Sequence, residues 1–114
     1  MLTIQGLKDF GANTDEGMKR CMNNEGFYLR LVGMVPGDAG FNKLYDAIEK
    51  GDLKAGFEAA HALKGVLGNL SLTPIYDPVQ EITERLRAEE KADYSEYIAK
   101  IRAGQETLLK MMES

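Results

Sequence analysis

The segment DLKAGFEAAHALKGVLGNL, residues 52–70, has the clearest helical periodicity of the chain. On a helical wheel at ~100° per residue, its apolar residues gather on one side, which is predicted to face a protein core. They are Ala59, Ala60, Leu63, Val66, Leu67 and Leu70. His61, the only histidine of the chain, falls on the opposite side and is predicted to face solvent. This placement conflicts with the usual role of a lone histidine, a satisfied core residue.

Capping residues mark the boundary between this segment and the helix before it. Asp52 is a good N-cap, and Gly51 is typical of a residue that ends a helix. The preceding helix is predicted to begin after Asp38. Its apolar residues recur at helical spacing: Phe41, Leu44, Tyr45 and Ile48. A link this short makes the two helices antiparallel neighbours.

Two more amphipathic helices are predicted after residue 70. The first carries an apolar stripe of Val79, Ile82 and Leu86. Its start is open: it begins at Thr73-Pro74, begins at Asp77-Pro78, or begins early and kinks at Pro78. The last helix is predicted to begin at Asp93, which with Glu96 forms an aspartate version of the capping box. Its apolar residues continue at helical spacing as far as Met112.

The N-terminal residues 1–37 are predicted to form short helices that cover the rest of the fold. They lie near residues 4–9, from a cap at Thr14 to about Asn23, and from a cap at Asn24 to the Pro36-Gly37 break. No segment has the pattern of a β-strand. The fold is therefore predicted to be all-α, with an up-down-up-down four-helix bundle at residues 38–114. A chain of 114 residues fits one domain, residues 1–114.

Composition narrows the classes of partner and compartment. The net charge is −4, from 14 basic and 18 acidic residues, which disfavours nucleic acid and anionic membranes as partners. Cys21 is the only cysteine, so an internal disulfide is excluded and a reducing cytoplasm is expected. No signal peptide is recognisable, and no apolar run approaches the ~18 residues of a membrane span.

Two glycines share the face of His61. Gly65 lies one helical turn after the histidine and Gly68 two turns after it. A glycine inside a helix costs about 1 kcal/mol relative to alanine, so stability does not explain the pair. They leave the helix surface bare, which would let another molecule approach the imidazole. The alternative is that they accommodate a packed neighbouring helix.

Lys64 and Lys54 border the same face. An ammonium about one turn from an imidazole can neutralise an incoming phosphoryl group, which favours this role for Lys64. Lys54 is closer to an ordinary solvated lysine. Phe57, one turn before His61, is either a residue at the edge of the core or part of a docking surface.

At this point the sequence resembles a known family. The stretch Ala60–Gly65, AHALKG, followed by Gly68–Leu70, GNL, is similar to the signature of histidine-phosphotransfer (HPt) domains. The resemblance covers most of the chain, and its six-residue core is fairly specific in an all-α chain of this length. Ser71 departs from the pattern, since the family commonly has glycine there. It is expected to change the following turn and not the chemistry.

The resemblance implies roles for individual residues. His61 would accept a phosphoryl group, and Lys64 would contact or neutralise it. Gly65 would admit the active site of a partner, and Gly68 would extend the same clearance. Three further candidate docking residues border this surface: Lys54, Phe57 and Asn69.

The resemblance also implies partners. Family members shuttle phosphate between response-regulator receiver domains in histidine–aspartate phosphorelays, so receiver domains and a hybrid sensor histidine kinase are the expected partners. Members have no nucleotide site, and the required Mg²⁺ belongs to the receiver. The chain itself lacks a GxxxxGK[ST] loop and any HExxH or CxxC spacing. We therefore expect a phosphocarrier with no metal site or cofactor of its own, and not an enzyme.

An alternative function is a helical-bundle module that binds a protein partner without phosphate, in which His61 is incidental. In either case a monomer is expected, because each apolar stripe can be buried inside one bundle. The chain is either free-standing or a domain of a hybrid kinase, and Met1 and the lack of flanking linkers favour the first only weakly. A bacterial, cytoplasmic protein is expected. The sequence leaves open which partner it has and in which direction phosphate flows.

Overall fold

The computed structural model describes all residues, 1–114, and consists of α-helices joined by short connections. The helices are α1 (Ile4–Phe10), α2 (Thr14–Arg20), α3 (Glu25–Met34), α4 (Ala39–Lys50), α5 (Leu53–Asn69), α6 (Thr73–Arg87) and α7 (Ser95–Glu113). The chain contains no β-strand. The prediction of an all-α fold is confirmed.

The last four helices pack in chain order. Helix α5 lies between α4 and α6, and α7 packs on α6. This arrangement is the predicted helical bundle, and it puts α5, the helix of residues 52–70, in contact with a neighbour on each side. No helix combines the length and the apolar composition that a membrane-spanning segment requires.

The core is formed by the apolar stripes of all these helices. The largest fully buried side chains of the bundle include Phe41 and Leu44 of α4, Leu63 and Leu67 of α5, Ile75, Ile82 and Leu86 of α6, and Ile101 and Leu108 of α7. Full burial of a side chain of this size stabilises a fold by about 1.5–3 kcal/mol.

The N-terminal part of the chain is hydrogen-bonded to the bundle at the C-terminal ends of α5 and α7. The hydroxyl of Tyr28 in α3 donates a hydrogen bond to the carbonyl of Leu70 at the end of α5, at 2.9 Å. The N-terminal ammonium donates to the carbonyl of Met111 in α7, at 2.8 Å. Helices α1–α3 therefore cover the bundle, as predicted for residues 1–37.

The boundaries of α4 and α5 agree with the capping prediction. The carboxylate of Asp38 accepts from the backbone N–H of Gly40 at 2.7 Å, and that of Asp52 accepts from Ala55 at 3.0 Å. Gly51 ends α4 with φ of 73°, in the left-handed region that glycine adopts without strain. Only two residues separate these helices, so they run antiparallel.

Both boundaries of α2 differ from the prediction. The N-cap of α2 is Asn13, whose side chain accepts from the N–H of Glu16, while Thr14 is the first helical residue. The same helix ends at Arg20, earlier than predicted, because Met22 and Asn23 have left-handed φ values of 59° and 56°. These values are incompatible with a continuing helix.

The structure shows where α6 begins, which the sequence left open. It begins at Thr73, with Pro74 in the first turn, and continues through Pro78, which is buried inside it. Pro78 has no N–H to donate to the carbonyl of Pro74, a loss that falls near the beginning of the helix.

The predicted capping box of α7 is wrong. The helix begins at Ser95, and its N-cap position is Tyr94, without a side-chain cap. The carboxylate of Asp93 instead accepts a hydrogen bond from the N–H of Ser95, at 2.9 Å. Hydrogen bonds from the side chain and backbone of Ser95 lower the pKa of Asp93 below its usual value. Glu96 is one residue too early in α7 to reach back to an N-cap.

Candidate functional site

His61 lies in the middle of α5 with its side chain exposed, on the side that the helical wheel predicts. Behind it, Ala60, Leu63 and Leu67 are at most 1% exposed. Val66 is an exception to the predicted core side, because 36% of it is exposed. It stands at the edge of the apolar side, where neither α4 nor α6 covers it completely.

A recess of about 540 Å³ opens beside His61. Five residues of α5 line it: His61, Lys64, Gly65, Gly68 and Asn69. The structure therefore brings together most of the site residues that the sequence predicts. Only one of the twelve lining residues is hydrophobic, so the recess is suited to polar or charged groups.

The opposite wall of the recess comes from α2 and its cap, which the sequence analysis did not associate with the site. Asn13, Glu16 and Arg20 line it. The guanidinium of Arg20 lies 2.9 Å from the carboxylate of Glu16 and donates to the side-chain oxygen of Asn69 at 3.4 Å. This last contact joins α2 to α5. No local pattern in the sequence predicts it, because the two residues are 49 positions apart.

The α5–α6 connection and the start of α6 also line the recess, with Ser71, Thr73, Tyr76 and Asp77. Ser71 is buried, has φ of 54°, and its hydroxyl has no hydrogen-bond partner. This is the position where the family resemblance leads us to expect glycine. Its backbone keeps the left-handed conformation that glycine adopts readily, and its carbonyl accepts from Asn13 at 3.0 Å.

The two glycines of the site differ in their surroundings. A Cβ added to Gly65 would meet no atom within 4 Å, so packing does not require a glycine there. A Cβ added to Gly68 would lie 3.1 Å from the ring of Tyr76 in α6. Packing against α6 therefore accounts for Gly68 at least in part, whereas the space beside Gly65 is open to solvent.

Lys64 is held by an acidic residue of the neighbouring helix. Its ammonium lies 3.8 Å from the carboxylate of Glu84 in α6, and its side chain is 27% exposed. The other carboxylate oxygen of Glu84 lies 3.3 Å from the Nε atom of Arg87. Lys64 is therefore directed along the α6 side of the recess, and Glu84 is a site residue that the sequence analysis missed.

The ring of Phe57 stacks on the imidazole of His61. The ring centres are 5.4 Å apart and the planes are inclined by 12°. The guanidinium carbon of Arg87 lies 4.9 Å from the centre of the Phe57 ring. Phe57 is half-buried and packs against the core cluster, so it combines a place at the core edge with a direct contact to the histidine.

The remaining predicted residue, Lys54, is exposed and does not line the recess. Nothing in its surroundings distinguishes it from other surface lysines. As for metals, no three His, Cys, Asp or Glu side chains lie close enough together to hold an ion.

The site thus offers an exposed imidazole, an ammonium about one helical turn away, and an open helix surface beside them. The family model of the Hpt domain matches residues 38–113, which is α4–α7 with their flanking residues. The chain belongs to the Hpt domain family. Hpt domains carry out histidine phosphotransfer in phosphorelays, where they interact with receiver domains and kinases as phosphocarrier modules rather than catalysts. No curated protein and no solved structure matches the chain.

The range that the family model matches does not include every residue that lines the recess. It includes every α5 and α6 residue of the recess, but it begins only after α3. The wall formed by Asn13, Glu16 and Arg20 therefore lies outside the part of the chain that the family model describes.

Proposed function

We propose that this protein accepts a phosphoryl group on His61 from the aspartyl phosphate of a response-regulator receiver domain and passes it to another receiver. The observation that carries this proposal is the open space beside Gly65, next to an exposed imidazole, in a chain of the Hpt family. A partner's active site needs this clearance to bring its aspartyl phosphate to the ring.

The transfer exchanges one bond for another. A nitrogen of the neutral imidazole attacks the phosphorus and forms an N–P bond, while the P–O bond to the partner's aspartate breaks. The electron pair of that bond leaves with the carboxylate. The imidazole then carries the phosphoryl group, and the proton on its other nitrogen is released to solvent or retained. The return step is the same exchange in reverse, with a receiver carboxylate as nucleophile.

Positioning and charge stabilisation dominate phosphoryl transfer, and Lys64 is the residue placed to supply charge. Its ammonium is near the His61 face but is now shared with Glu84 at 3.8 Å. An incoming phosphoryl group is a stronger acceptor than a solvated carboxylate at this distance. We expect Lys64 to turn from Glu84 toward the phosphoryl oxygens when the partner docks.

The proposal assigns the remaining residues to the partner interface. Gly65 provides clearance and Gly68 extends it, while Asn69, Phe57 and Lys54 border the docking surface. The partners are receiver domains and a hybrid sensor histidine kinase, and the Mg²⁺ that transfer requires is expected on the receiver. The protein would act as one domain, residues 1–114, as a monomer in the bacterial cytoplasm, with no nucleotide site or cofactor of its own.

The test is phosphoryl transfer from a panel of receiver domains that carry labelled phosphate. We expect wild-type protein to take up label that is acid-labile and alkali-stable, as a phosphoramidate is, and His61→Gln protein to take up none. Absence of label from every active receiver would contradict the proposal. A receiver that binds wild type and His61→Gln equally, without transfer, would instead support a phosphate-independent binding module.

A further inference from the structure

Three side chains of α5 and α6 are in contact beside the site, with Phe57 touching both of the others. The imidazole of His61, the ring of Phe57 and the guanidinium of Arg87 follow one another, with separations of 5.4 Å and 4.9 Å. The small angle of 12° between the two rings, with their centres 5.4 Å apart, is the geometry of an offset aromatic stack. The edge of the imidazole, which carries both nitrogens, stays free.

The stack follows from the sequence positions of its members. Phe57 precedes His61 by four residues on α5, so the two side chains are neighbours on the same helix face. Phe57 also packs against the core, which limits its own movement. Arg87 comes from the last turn of α6 and reaches across the gap between the two helices.

Ion pairs extend this set of contacts to Lys64. Glu84 lies 3.3 Å from Arg87 through one carboxylate oxygen and 3.8 Å from Lys64 through the other. Lys64 and His61 stand one turn apart on α5. The contacts therefore pass from the histidine through α6 and return to the lysine that faces the same site.

These contacts restrain the side chain of His61, which has little else to hold it. An exposed histidine on a helix samples several rotamers, and only some of them present a nitrogen to an approaching phosphorus. His61 has no side-chain hydrogen bond, so the stack on Phe57 is the contact that fixes the plane of its ring. Offset-stacked aromatic pairs are favoured well beyond the area that they bury.

We propose that Phe57, backed by Arg87, is a positioning residue that holds the His61 imidazole with its nitrogen edge toward the partner. The inference rests on the proposed function, since positioning matters only if His61 receives phosphate. Phe57 touches neither the phosphoryl group nor the partner's aspartate. Its effect is to raise the fraction of molecules whose imidazole is ready to attack.

The experiment compares the wild type with three variants that separate the stack from general packing. Phe57→Leu keeps an apolar side chain but removes the aromatic ring. Phe57→Tyr keeps the ring and should restore the stack. Tyr97→Leu is the matched control, because it removes an arginine–aromatic contact to Arg85, at 5.5 Å, that does not involve His61. Thermal unfolding verifies that each variant is folded.

The first readout is the proton NMR spectrum of the imidazole, which is simple to assign because the chain has one histidine. An aromatic ring over the imidazole face shifts its protons upfield. We expect this shift in the wild type and in Phe57→Tyr and Tyr97→Leu. In Phe57→Leu the protons should move to the positions of a freely rotating histidine.

The second readout is phosphoryl transfer from a labelled receiver over a range of receiver concentrations. We expect Phe57→Leu to lower the rate at saturation about three- to tenfold and to leave the half-saturating concentration within twofold. Phe57→Tyr should restore most of the rate, and Tyr97→Leu should not change it. An unchanged saturating rate and an unchanged imidazole spectrum in Phe57→Leu would overturn the inference.

A change confined to the half-saturating concentration would also overturn it, because Phe57 would then contribute only to docking and not to the orientation of His61. Failure of the proposed function would give a different experimental result. In that case wild-type protein takes up no label from any receiver, whereas the imidazole spectrum, which needs no partner, still reports whether Phe57 stacks on His61.

Discussion

The two helical turns next to His61 differ sharply. One turn before it, Phe57 stacks on the imidazole, and the guanidinium of Arg87 lies over the ring of Phe57. One turn after it, Gly65 has no side chain, and an added Cβ would touch nothing within 4 Å. The same helix face thus holds the ring on one side and leaves room for a partner on the other. A transfer site needs both properties, since the nucleophile must be oriented and also reachable.

Filling the open space beside Gly65 should have the largest effect on phosphoryl transfer. Gly65→Leu should reduce phosphoryl transfer on the order of 100-fold, because the new side chain occupies the space that a partner's active site needs. The fold should be unaffected or slightly more stable, since leucine favours a helix more than glycine does. Transfer rates and thermal unfolding, measured together, check both statements.

A leucine elsewhere on the exposed surface of α5 controls for this variant. Ala62→Leu adds the same side chain to an exposed position about 100° around the helix from His61 and about 60° from Gly65. It should transfer phosphate within a few-fold of the wild type. Equal losses in the two variants would show that the open space beside Gly65 has no special importance.

Removing the charge beside the imidazole should have the next largest effect. Lys64→Ala is expected to lower the transfer rate by about 10- to 100-fold, because a donor that stabilises the phosphoryl oxygens is lost. Stability should change by less than about 1 kcal/mol, since the ion pair with Glu84 is partly exposed. Lys100→Ala, an exposed lysine of α7, is the control. A wild-type rate in Lys64→Ala would exclude the proposed role.

Alanine substitutions at Gly65 and Gly68 should have smaller effects, and they test whether packing distinguishes the two glycines. Gly65→Ala should raise the free energy of unfolding by up to about 1 kcal/mol, because alanine favours the helix and meets no neighbour. Gly68→Ala should gain less, since its Cβ would lie 3.1 Å from Tyr76, which must shift. Denaturant unfolding measures both values. A larger gain for Gly68→Ala would mean that packing does not account for that glycine.

Unlike its exposed middle, the end of α5 contacts the buried Tyr28. The stability of the fold at alkaline pH tests the contribution of this tyrosine. Burial raises the pKa of Tyr28, whose hydroxyl donates to Leu70, from 10 to about 12. The phenol is therefore ionised more easily in the unfolded chain. Its contribution to stability is complete below pH 10 and falls by at most about 1.4 kcal/mol per pH unit as pH rises toward 12.

Tyr28→Phe should reduce this alkaline loss of stability, although it also removes the hydrogen bond to Leu70. The loss should not disappear, because burial also raises the pKa of Tyr45 to about 12. Unfolding free energies at several pH values between 9 and 12 provide the measurement. Identical pH profiles for the wild type and Tyr28→Phe would contradict the contribution assigned to Tyr28.

Sequence reasoning predicted the parts of the site that depend on local periodicity. The caps at Asp38 and Asp52, the exposure of His61 and the common face of Lys64 and Gly65 all follow from spacing along one or two helices. The exposure of Val66 was not predicted, because a wheel places residues on a face without showing where neighbouring helices stop covering it.

The missed site residues depend on tertiary packing. Glu84 and Arg87 lie on α6 and Arg20 lies on α2, so each reaches the site only after helices distant in sequence have docked. Phe57 was recognised as bordering the face of His61, yet only the structure shows that its ring covers the imidazole. Side-chain rotamers, which decide such contacts, are not encoded in spacing.

The central claim is that His61 receives the phosphoryl group, and NMR of ¹⁵N-labelled protein tests it most directly. The single histidine gives one pair of imidazole nitrogen signals, which can be followed while a phosphorylated receiver domain is added. The account predicts that one of these nitrogens shifts and acquires coupling to ³¹P, and that His61→Gln protein acquires no phosphate. Phosphate that appears in the protein while both imidazole signals stay unchanged, or that appears equally in His61→Gln, would contradict the account.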